Sequence, residues 1–208
     1  MVWAHLMQTA GGREVLATGT EVQITVMLQD ALEELLNAGS LEGFSAAFFV
    51  PPVRGQELDD YSGCHLEKRP DLTFLRHSAV PSTRHNGLFY ECKLLGRGRK
   101  LKDYIENGVA RFEDGRYAWA MPHAGMLAYL GDAAYTGNAE KELDKCWKSY
   151  VPPALHAPVG AVVTDETSSP LVAVTLHPRT FLLPSGRSPG DVELWHLWLP
   201  GPVALAAE

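Results

Sequence analysis

The segment at residues 88–95 is an apolar run that two charged residues, Glu91 and Lys93, interrupt. Its length and its apolar composition predict a buried strand. Burial of an unpaired carboxylate or ammonium group costs several kcal/mol, so each charge must be paired, bound to a metal ion or open to a cleft. Because side chains alternate along a strand, Glu91 and Lys93 share one face. The chain must therefore fold around a sheet that carries a polar site.

A second strand is predicted at residues 71–75, directly after Pro70. Turn-forming sequence at residues 78–87 separates it from the strand at 88–95 and predicts a hairpin. Pairing of the two strands would bring Asp71 close to Glu91. The alternative interpretation is that Asp71 caps a turn and that Glu91 forms a surface ion pair on an edge strand.

The segment Glu21–Ala38 is predicted to be an amphipathic helix, because apolar residues recur at helical spacing and Gly39 can cap its end. Glu21 shares a face with Ile24 and Leu28, which aims its carboxylate at the core or its rim. The remaining predictions are strands at 43–53, 117–122, 160–164, 171–177 and 192–199, and helices at 100–112, 126–129 and 139–150. This order of elements predicts a mixed α/β fold.

Length and composition exclude several classes of protein. A chain of 208 residues, with 46% hydrophobic and 21% charged residues, fits one globular domain and not a disordered or fibrous protein. Its apolar runs are shorter than the roughly 18 residues of a membrane span, and residues 1–10 lack the Lys or Arg of a secretory signal. We therefore expect a cytoplasmic protein that does not contact membranes. Its three widely spaced cysteines support neither a disulfide framework nor a Cys-x-x-Cys site.

The charge of the chain is unevenly distributed. The formal net charge is −7, but residues 67–102 contain nine basic and three acidic residues, so the rest of the chain carries −13. This pattern is typical of a phosphate-facing surface on an acidic body, and also of a solvated loop rich in Lys and Arg. The basic residues that directly follow the strand at 88–95 are predicted to contact nucleic-acid phosphates: Arg97, Arg99, Lys100 and Lys102.

Two acidic residues beside an ammonium group are what metal-assisted phosphodiester hydrolysis requires. Mg²⁺ and Mn²⁺ prefer carboxylate and carbonyl oxygens and stabilise negative charge in the transition state. We expect Asp71, Glu91 and the backbone carbonyl of Cys92 to be metal ligands. Lys93 would orient the attacking water and contact the scissile phosphate. Glu21 would add a further carboxylate, for a second metal ion or for a water on the first.

Pro70-Asp71 followed by Glu91-Cys92-Lys93 resembles the signature of the PD-(D/E)xK nuclease superfamily, which has the restriction-endonuclease-like fold. The predicted order of elements over residues 20–112 is similar to its core: a helix with Glu21, a strand, the Asp71 strand, the Glu-x-Lys strand and a helix. The resemblance implies a central mixed sheet flanked by helices, with a C-terminal β extension within residues 113–208 of the same domain. It also implies Mg²⁺-dependent cleavage of DNA, often by a dimer or within a larger machine.

Further residues resemble a pattern of bacterial restriction-like proteins in defence loci: Tyr104, Gly108, Arg111 and Phe112, then residues 126–129, 176–179 and 195–197. This resemblance implies an endonuclease effector of anti-phage defence. His177 and Arg179 share a strand face and could hold a phosphate or brace the site, and a local hydrogen-bonding pair is the alternative. Arg111 is a further candidate for phosphate contact, for which a salt bridge from helix to strand is the alternative.

Two other functions stay open at this point. The chain could be a noncatalytic subunit that keeps the fold for assembly or DNA binding, or a nuclease that acts on RNA or branched DNA. The −13 charge outside the basic segment favours recognition and control by a partner subunit, such as an ATPase, a helicase or a sensor, or by self-association.

Overall fold

A mixed five-stranded sheet lies at the centre of the fold. The computed structural model describes residues 2–63, 69–77, 85–132, 135, 138–150, 156–163 and 171–202. The strands are β1 (Leu72–Leu75), β2 (Gly87–Leu95), β3 (His123–Leu130), β4 (Val172–His177) and β5 (Val192–Pro200). Their order is β1-β2-β3-β5-β4; the inner three are parallel, and each outer strand is antiparallel to its neighbour. The predicted C-terminal β extension is therefore part of the same sheet.

Helices cover both faces of this sheet. One face packs against α1 (Val2–Gln8), α2 (Ala10–Thr18) and α3 (Glu21–Ala38). The other face packs against helix 101–113, which consists of α4 (Leu101–Tyr104), a π-helical turn (Ile105–Val109) and α5 (Ala110–Glu113), and against α6 (Ala139–Ser149). The predicted α/β architecture, a mixed sheet flanked by helices, is confirmed. No helix in the described ranges is both long and apolar enough to cross a bilayer.

The predicted helix at Glu21–Ala38 is confirmed with the same bounds. Its N-cap is Thr20, whose hydroxyl accepts a hydrogen bond from the Gln23 amide, while the Gln23 side chain accepts one from the Thr20 amide. Gly39 ends the helix in the left-handed conformation, with φ of 59°. These caps fix Glu21 as the first residue of α3.

The predicted hairpin strands are confirmed, because β1 pairs antiparallel with β2. Residues 78–84 of the predicted turn lie outside the described residues. The helix at 139–150 and the strands at 171–177 and 192–199 are also confirmed, as α6, β4 and β5. Of the strand at 160–164, Val163 forms an isolated bridge with Val174, and residue 164 lies outside the described part.

The predicted strand at 43–53 is wrong, although part of it lies beside β1. Phe49 and Val53 form only isolated bridges, with Arg76 and Thr73. The Pro51-Pro52 pair between them lacks N–H groups and cannot continue a ladder of hydrogen bonds. The result is a broken edge beside β1.

The predictions for residues 117–129 are also wrong. Residues 117–122 form turns and bends, and residues 126–129 belong to strand β3, not to a helix. All residues of β3 after His123 are buried. A strand covered on both faces shows no alternation of apolar and polar residues, so its apolar run cannot be distinguished from a buried helical segment by pattern.

Candidate active site

Two carboxylates occupy the edge of β2 beyond its pairing with β1, which reaches no further than Tyr90. The Cys92 amide donates a hydrogen bond to Asp71 Oδ2 at 2.8 Å, and the Leu94 amide donates to Glu21 Oε2, also at 2.8 Å. Asp71 directly precedes β1 and Glu21 begins α3. Two different elements therefore bring carboxylates to one strand edge, where they satisfy amides that a neighbouring strand would otherwise bind.

The backbone carbonyl of Cys92 points to the same edge. In a strand the N–H and C=O of one residue lie on the same side, and the Cys92 N–H meets Asp71 there. Lys93 Nζ donates a hydrogen bond to the Cys92 carbonyl at 3.1 Å and lies 3.8 Å from Glu21 Oε1. Carbonyl and carboxylate oxygens therefore surround the Lys93 ammonium group at this edge of β2.

Glu91 is the buried carboxylate of the site, with a side chain that is 0% exposed. Its Oε1 forms ion pairs with Lys93 Nζ and with Arg111, whose Nη1 lies 2.7 Å away. Its Oε2 is buried and has no hydrogen-bond partner among the described residues. Burial, assisted by the charge of Asp71, raises the pKa of Glu91 to about 7 against the opposing charges of Lys93 and Arg111. Burial is thus the main obstacle to ionisation of Glu91, although two cations pair with its Oε1.

The structure brings the predicted ligands Asp71, Glu91 and the Cys92 carbonyl together with Lys93 and Glu21. A divalent cation would explain the buried, unpartnered oxygen of Glu91, because a cation would coordinate it and lower the pKa of the carboxyl group. No cluster of three or more His, Cys, Asp or Glu side chains in the described ranges can hold a metal ion by itself. The residues fit a hard divalent cation as a mixed set of carboxylate and carbonyl oxygens.

Glu21, Lys93 and Arg111 line a cleft of about 400 Å³ between the start of α3 and helix 101–113, whereas Asp71 and Glu91 are not among its lining residues. Its lining is largely charged or polar: Glu21, Lys93, Leu94, Arg99, Lys100, Asp103, Tyr104, Asn107 and Arg111. Three of the predicted nucleic-acid contacts, Arg99, Lys100 and Arg111, are therefore at the cleft. Lys102 lies in α4 and forms a salt bridge with Glu106, with 3.5 Å between Lys102 Nζ and Glu106 Oε1.

A π-helical turn faces Glu91 from the helix that follows β2. Gly108 is buried in this turn, and a Cβ atom there would lie 2.4 Å from Met126 Cε and 3.8 Å from Glu91 Cγ. The glycine lets the helix approach the sheet closely. The turn leads to Arg111, which forms the salt bridge from helix to strand that the sequence offered as an alternative to phosphate contact. The sequence predicts the helix but not its π turn.

Arg97 and Arg179 are held by backbone carbonyls and do not line the cleft. Arg97 donates hydrogen bonds over 2.7 to 3.3 Å to these carbonyls: Leu16, Gly19 and Gly131. Arg179 donates to another set: Ala118, Trp119 and Met121. Burial lowers the pKa of Arg179 to about 10. Their predicted contacts with nucleic acid disagree with this placement, because all three guanidinium nitrogens of Arg97 and both terminal nitrogens of Arg179 donate to backbone carbonyls, and Arg179 Nε is buried.

His177 lies in a buried hydrogen-bond chain and is also away from the cleft surface. Successive members of this chain are 2.7 to 2.8 Å apart: Glu113, His177, Thr175, His196 and Tyr104. Both histidines are 0% exposed, and burial lowers the pKa of His196 to about 3. The predicted role of His177 as a nucleic-acid contact is therefore corrected to a structural role.

Sequence reasoning missed Tyr117, which lies next to the site. Arg111 Nη1 donates to the Tyr117 hydroxyl at 2.8 Å, and that hydroxyl donates to the Arg69 carbonyl at 2.9 Å. Burial raises the pKa of Tyr117 to about 12, so its hydroxyl keeps its proton at neutral pH. The sequence signal for this residue was weak, because a tyrosine after the Asp114-Gly115 turn is equally typical of a strand.

Comparisons with known proteins gave no match: no family model, no curated protein and no solved structure matches the chain. The functional argument therefore depends on the geometry of the site.

Proposed function

We propose that the protein is a divalent-metal-dependent nuclease that hydrolyses DNA phosphodiester bonds. The observation that carries this proposal is the buried Glu91 carboxylate, with its unpartnered Oε2, beside Asp71, the Cys92 carbonyl and Lys93. A buried carboxylate next to a second one is stable as an anion only when positive charge balances it. A divalent cation would supply that charge, and Mg²⁺ or Mn²⁺ takes oxygen ligands of these kinds.

In this proposal Asp71, Glu91 and the Cys92 carbonyl hold the cation. A bound Mg²⁺ or Mn²⁺ would polarise the scissile phosphate and lower the pKa of water. The Lys93 ammonium group lies among the same oxygens, so its charge stabilises the negative charge that develops on the phosphate. Glu21 lies 3.8 Å from Lys93 Nζ, which supports a role in orienting that group.

The cleft beside these residues supports a nucleic-acid substrate. Arg99 and Lys100 line it, and the Arg99 side chain is 54% exposed, so its guanidinium group is accessible to a phosphate. DNA is the substrate that the resemblance to the PD-(D/E)xK superfamily implies. The helix with Glu21, the Asp71 strand, the Glu-x-Lys strand and the helix after it follow the order of the restriction-endonuclease-like core, but the strand that this core has between the helix and Asp71 is represented here only by isolated bridges. We include that fold in the proposal.

The proposal extends to the setting in which the nuclease acts. An effector of anti-phage defence, controlled by a partner subunit or by self-association, agrees with the resemblance to restriction-like defence proteins. It also agrees with the charge distribution, because the −13 outside the basic segment leaves little surface that attracts DNA.

One observation favours the noncatalytic alternative. Glu91 Oε1 is shared by two cations, Lys93 and Arg111, so part of the charge of the site is balanced without a metal ion. A nuclease-like subunit used for assembly or DNA binding would keep this arrangement as an internal ion-pair network. Binding of a divalent cation separates the two functions.

The first test is nicking of supercoiled plasmid with Mg²⁺ or Mn²⁺, by the wild type, Lys93→Ala and Asp71→Ala. We expect metal-dependent nicking that falls at least about 100-fold in both variants, because each removes a group that acts on the phosphate or the cation. Lys145→Ala removes an exposed lysine of α6 and is the matched control. Mn²⁺ titration of the same proteins completes the test. Folded protein that neither cuts DNA nor binds Mn²⁺ through Asp71 would establish the noncatalytic alternative.

A further inference from the structure

Arg111 and Tyr117 connect the two strands that bring carboxylates to the site. Arg111 Nη1 lies 2.7 Å from Glu91 Oε1 and 2.8 Å from the Tyr117 hydroxyl, so each of its two hydrogens has an acceptor. The Tyr117 hydroxyl donates its own hydrogen to the Arg69 carbonyl at 2.9 Å. A continuous line of hydrogen bonds therefore runs from Glu91 in β2 to the backbone that leads into β1.

The hydrogen bond from Tyr117 to the Arg69 carbonyl also restrains Asp71, because only Pro70 separates Asp71 from Arg69. Proline fixes its own φ and restricts the residue before it, which leaves this stretch of backbone little freedom. The Pro70 carbonyl is held as well, by the Gly55 amide at 3.2 Å. Fixing the Arg69 carbonyl therefore fixes the position of Asp71.

Arg111 and Tyr117 are also tied to each other. The Tyr117 amide donates to the Arg111 carbonyl at 2.9 Å, and the guanidinium carbon lies 5.4 Å from the centre of the tyrosine ring. The ring is 5% exposed and packs edge to face against Phe112. Neither side chain can turn away without breaking several contacts.

We infer that Arg111 and Tyr117 form a clamp: they are positioning residues that set Asp71 relative to Glu91 and thereby set the affinity of the site for a divalent cation. The inference rests on the proposed function, in which these two carboxylates are ligands. Arg111 acts through Oε1 of Glu91 and leaves Oε2 for the cation. Residues that orient metal ligands by hydrogen bonds typically change metal affinity 10- to 100-fold when they are replaced.

The first test measures the clamp without metal. In Tyr117→Phe, with EDTA present, hydrogen exchange of the Cys92 amide is compared with that of the Leu94 amide. Both amides donate to a carboxylate at 2.8 Å on the same strand edge, but only the acceptor of Cys92, Asp71, depends on the clamp. We expect exchange at Cys92 to accelerate about tenfold relative to Leu94. Arg111→Lys, which keeps the charge but loses the planar guanidinium group, is the second variant and should act in the same direction.

The second test measures Mn²⁺ affinity by calorimetry. We expect about tenfold weaker binding in Tyr117→Phe. Tyr150→Phe is the matched control, because it removes a tyrosine hydroxyl that has no hydrogen-bond partner among the described residues, at the end of α6. Its Mn²⁺ affinity should stay within about twofold of the wild type.

The two measurements separate the clamp from the proposed function. An unchanged ratio of Cys92 to Leu94 exchange in both variants would overturn the clamp, whatever the protein does with metal. Faster exchange together with unchanged Mn²⁺ affinity would overturn the link from the clamp to metal binding. Faster exchange in a protein that binds no Mn²⁺ at all would support the positioning of Asp71 and overturn the proposed function.

Discussion

Glu91 is the residue whose charge the rest of the site must balance. Its carboxylate is enclosed by the sheet and the π turn, and its pKa lies near neutral pH because burial and Asp71 outweigh Lys93 and Arg111. In the absence of a divalent cation, folding and ionisation of Glu91 therefore oppose each other. This is the pattern expected when a site is built for charge that arrives with a ligand, and not for stability of the empty protein.

Because folding disfavours the ionised form of Glu91, the difference in unfolding free energy between Glu91→Gln and the wild type should depend on pH. The pKa of Glu91 rises from its ordinary value of 4.5 to about 7 on folding, so its contribution to stability is present below pH 4.5 and is lost as pH rises through 7. Glutamine has no such dependence. In EDTA, we expect the unfolding free energy of Glu91→Gln to gain on the wild type by up to about 3 kcal/mol between pH 4.5 and pH 8.

Urea unfolding at the two pH values measures this gain. Glu34→Gln, at an exposed position of α3, is the control and should show the same difference from wild type at both pH values. Added Mg²⁺ at pH 8 should stabilise the wild type more than Glu91→Gln, because the proposed function makes the Glu91 carboxylate a ligand of the cation. If the difference in unfolding free energy between Glu91→Gln and the wild type stays constant with pH, folding does not shift the pKa of Glu91.

At the residue scale, the sequence predicts which charged residues pair within the site better than it predicts which basic residues are free to contact nucleic acid. Glu91, Lys93 and Asp71 could be found because charges in an apolar strand need partners, and the helical pattern aimed Glu21 at the same region. Arg97 could not be separated from its basic neighbours in the same way. It adopts a left-handed backbone, with φ of 52°, and its side chain turns back to the carbonyls at the end of α2. That turn depends on tertiary contacts that no local pattern records.

At the scale of elements, a buried chain of hydrogen bonds joins helix 101–113 to strands β4 and β5. One set of donors gives every proton in the chain one acceptor: Tyr104 donates to His196, His196 to Thr175, Thr175 to His177, and His177 to Glu113. The Thr175 hydroxyl bonds to a ring nitrogen of His177 and to one of His196. These hydrogen bonds hold helix 101–113, which carries Arg111, against strands β4 and β5.

Replacing Thr175 by valine tests how much these hydrogen bonds stabilise the fold. Valine has a similar shape but no hydroxyl, so Nε2 of His177 and Nε2 of His196 both lose their partner inside the core. Each unpaired buried group costs about 1–3 kcal/mol, and we expect Thr175→Val to lose at least about 2 kcal/mol in urea unfolding. Thr175→Ser keeps the hydroxyl, loses one methyl group and should lose only about 1 kcal/mol. Equal losses in the two variants would contradict a role for the hydroxyl.

Elements with strong end signals were predicted, and elements defined by tertiary contacts were not. Apolar residues at helical spacing and the glycine at 39 predicted α3 with the bounds that the structure shows. The Pro51-Pro52 pair was visible, but apolar neighbours made it resemble the end of a strand. β3 was missed because burial on both faces removes the alternation that identifies a strand. The π turn at Ile105–Val109 was not predicted, because π turns are rare and the helical pattern of residues 100–112 continues through it.

At the scale of the whole molecule, positive charge is concentrated in one segment of an acidic chain, residues 67–102. Helix 101–113 and the loop before it carry Arg99, Lys100 and Lys102, close to the cleft, while the rest of the chain is strongly acidic. A small basic surface on such a chain makes few phosphate contacts, and the acidic remainder repels DNA elsewhere. Binding should therefore be local, weak and sensitive to salt.

The salt dependence of DNA binding tests this distribution. Each phosphate contact contributes about 0.9 to the slope of log K against log salt on duplex DNA, so Lys100→Ala with Lys102→Ala should lower the slope by about 2. Lys141→Ala with Lys145→Ala, at exposed positions of α6, removes the same total charge and is the matched control. Fluorescence anisotropy with a labelled duplex, in EDTA and in the Lys93→Ala background to prevent cutting, gives both slopes. Because net charge changes equally in the two pairs, a smaller slope in the first pair alone locates DNA at the cleft. Equal changes in both would mean that DNA responds only to the overall charge of the protein.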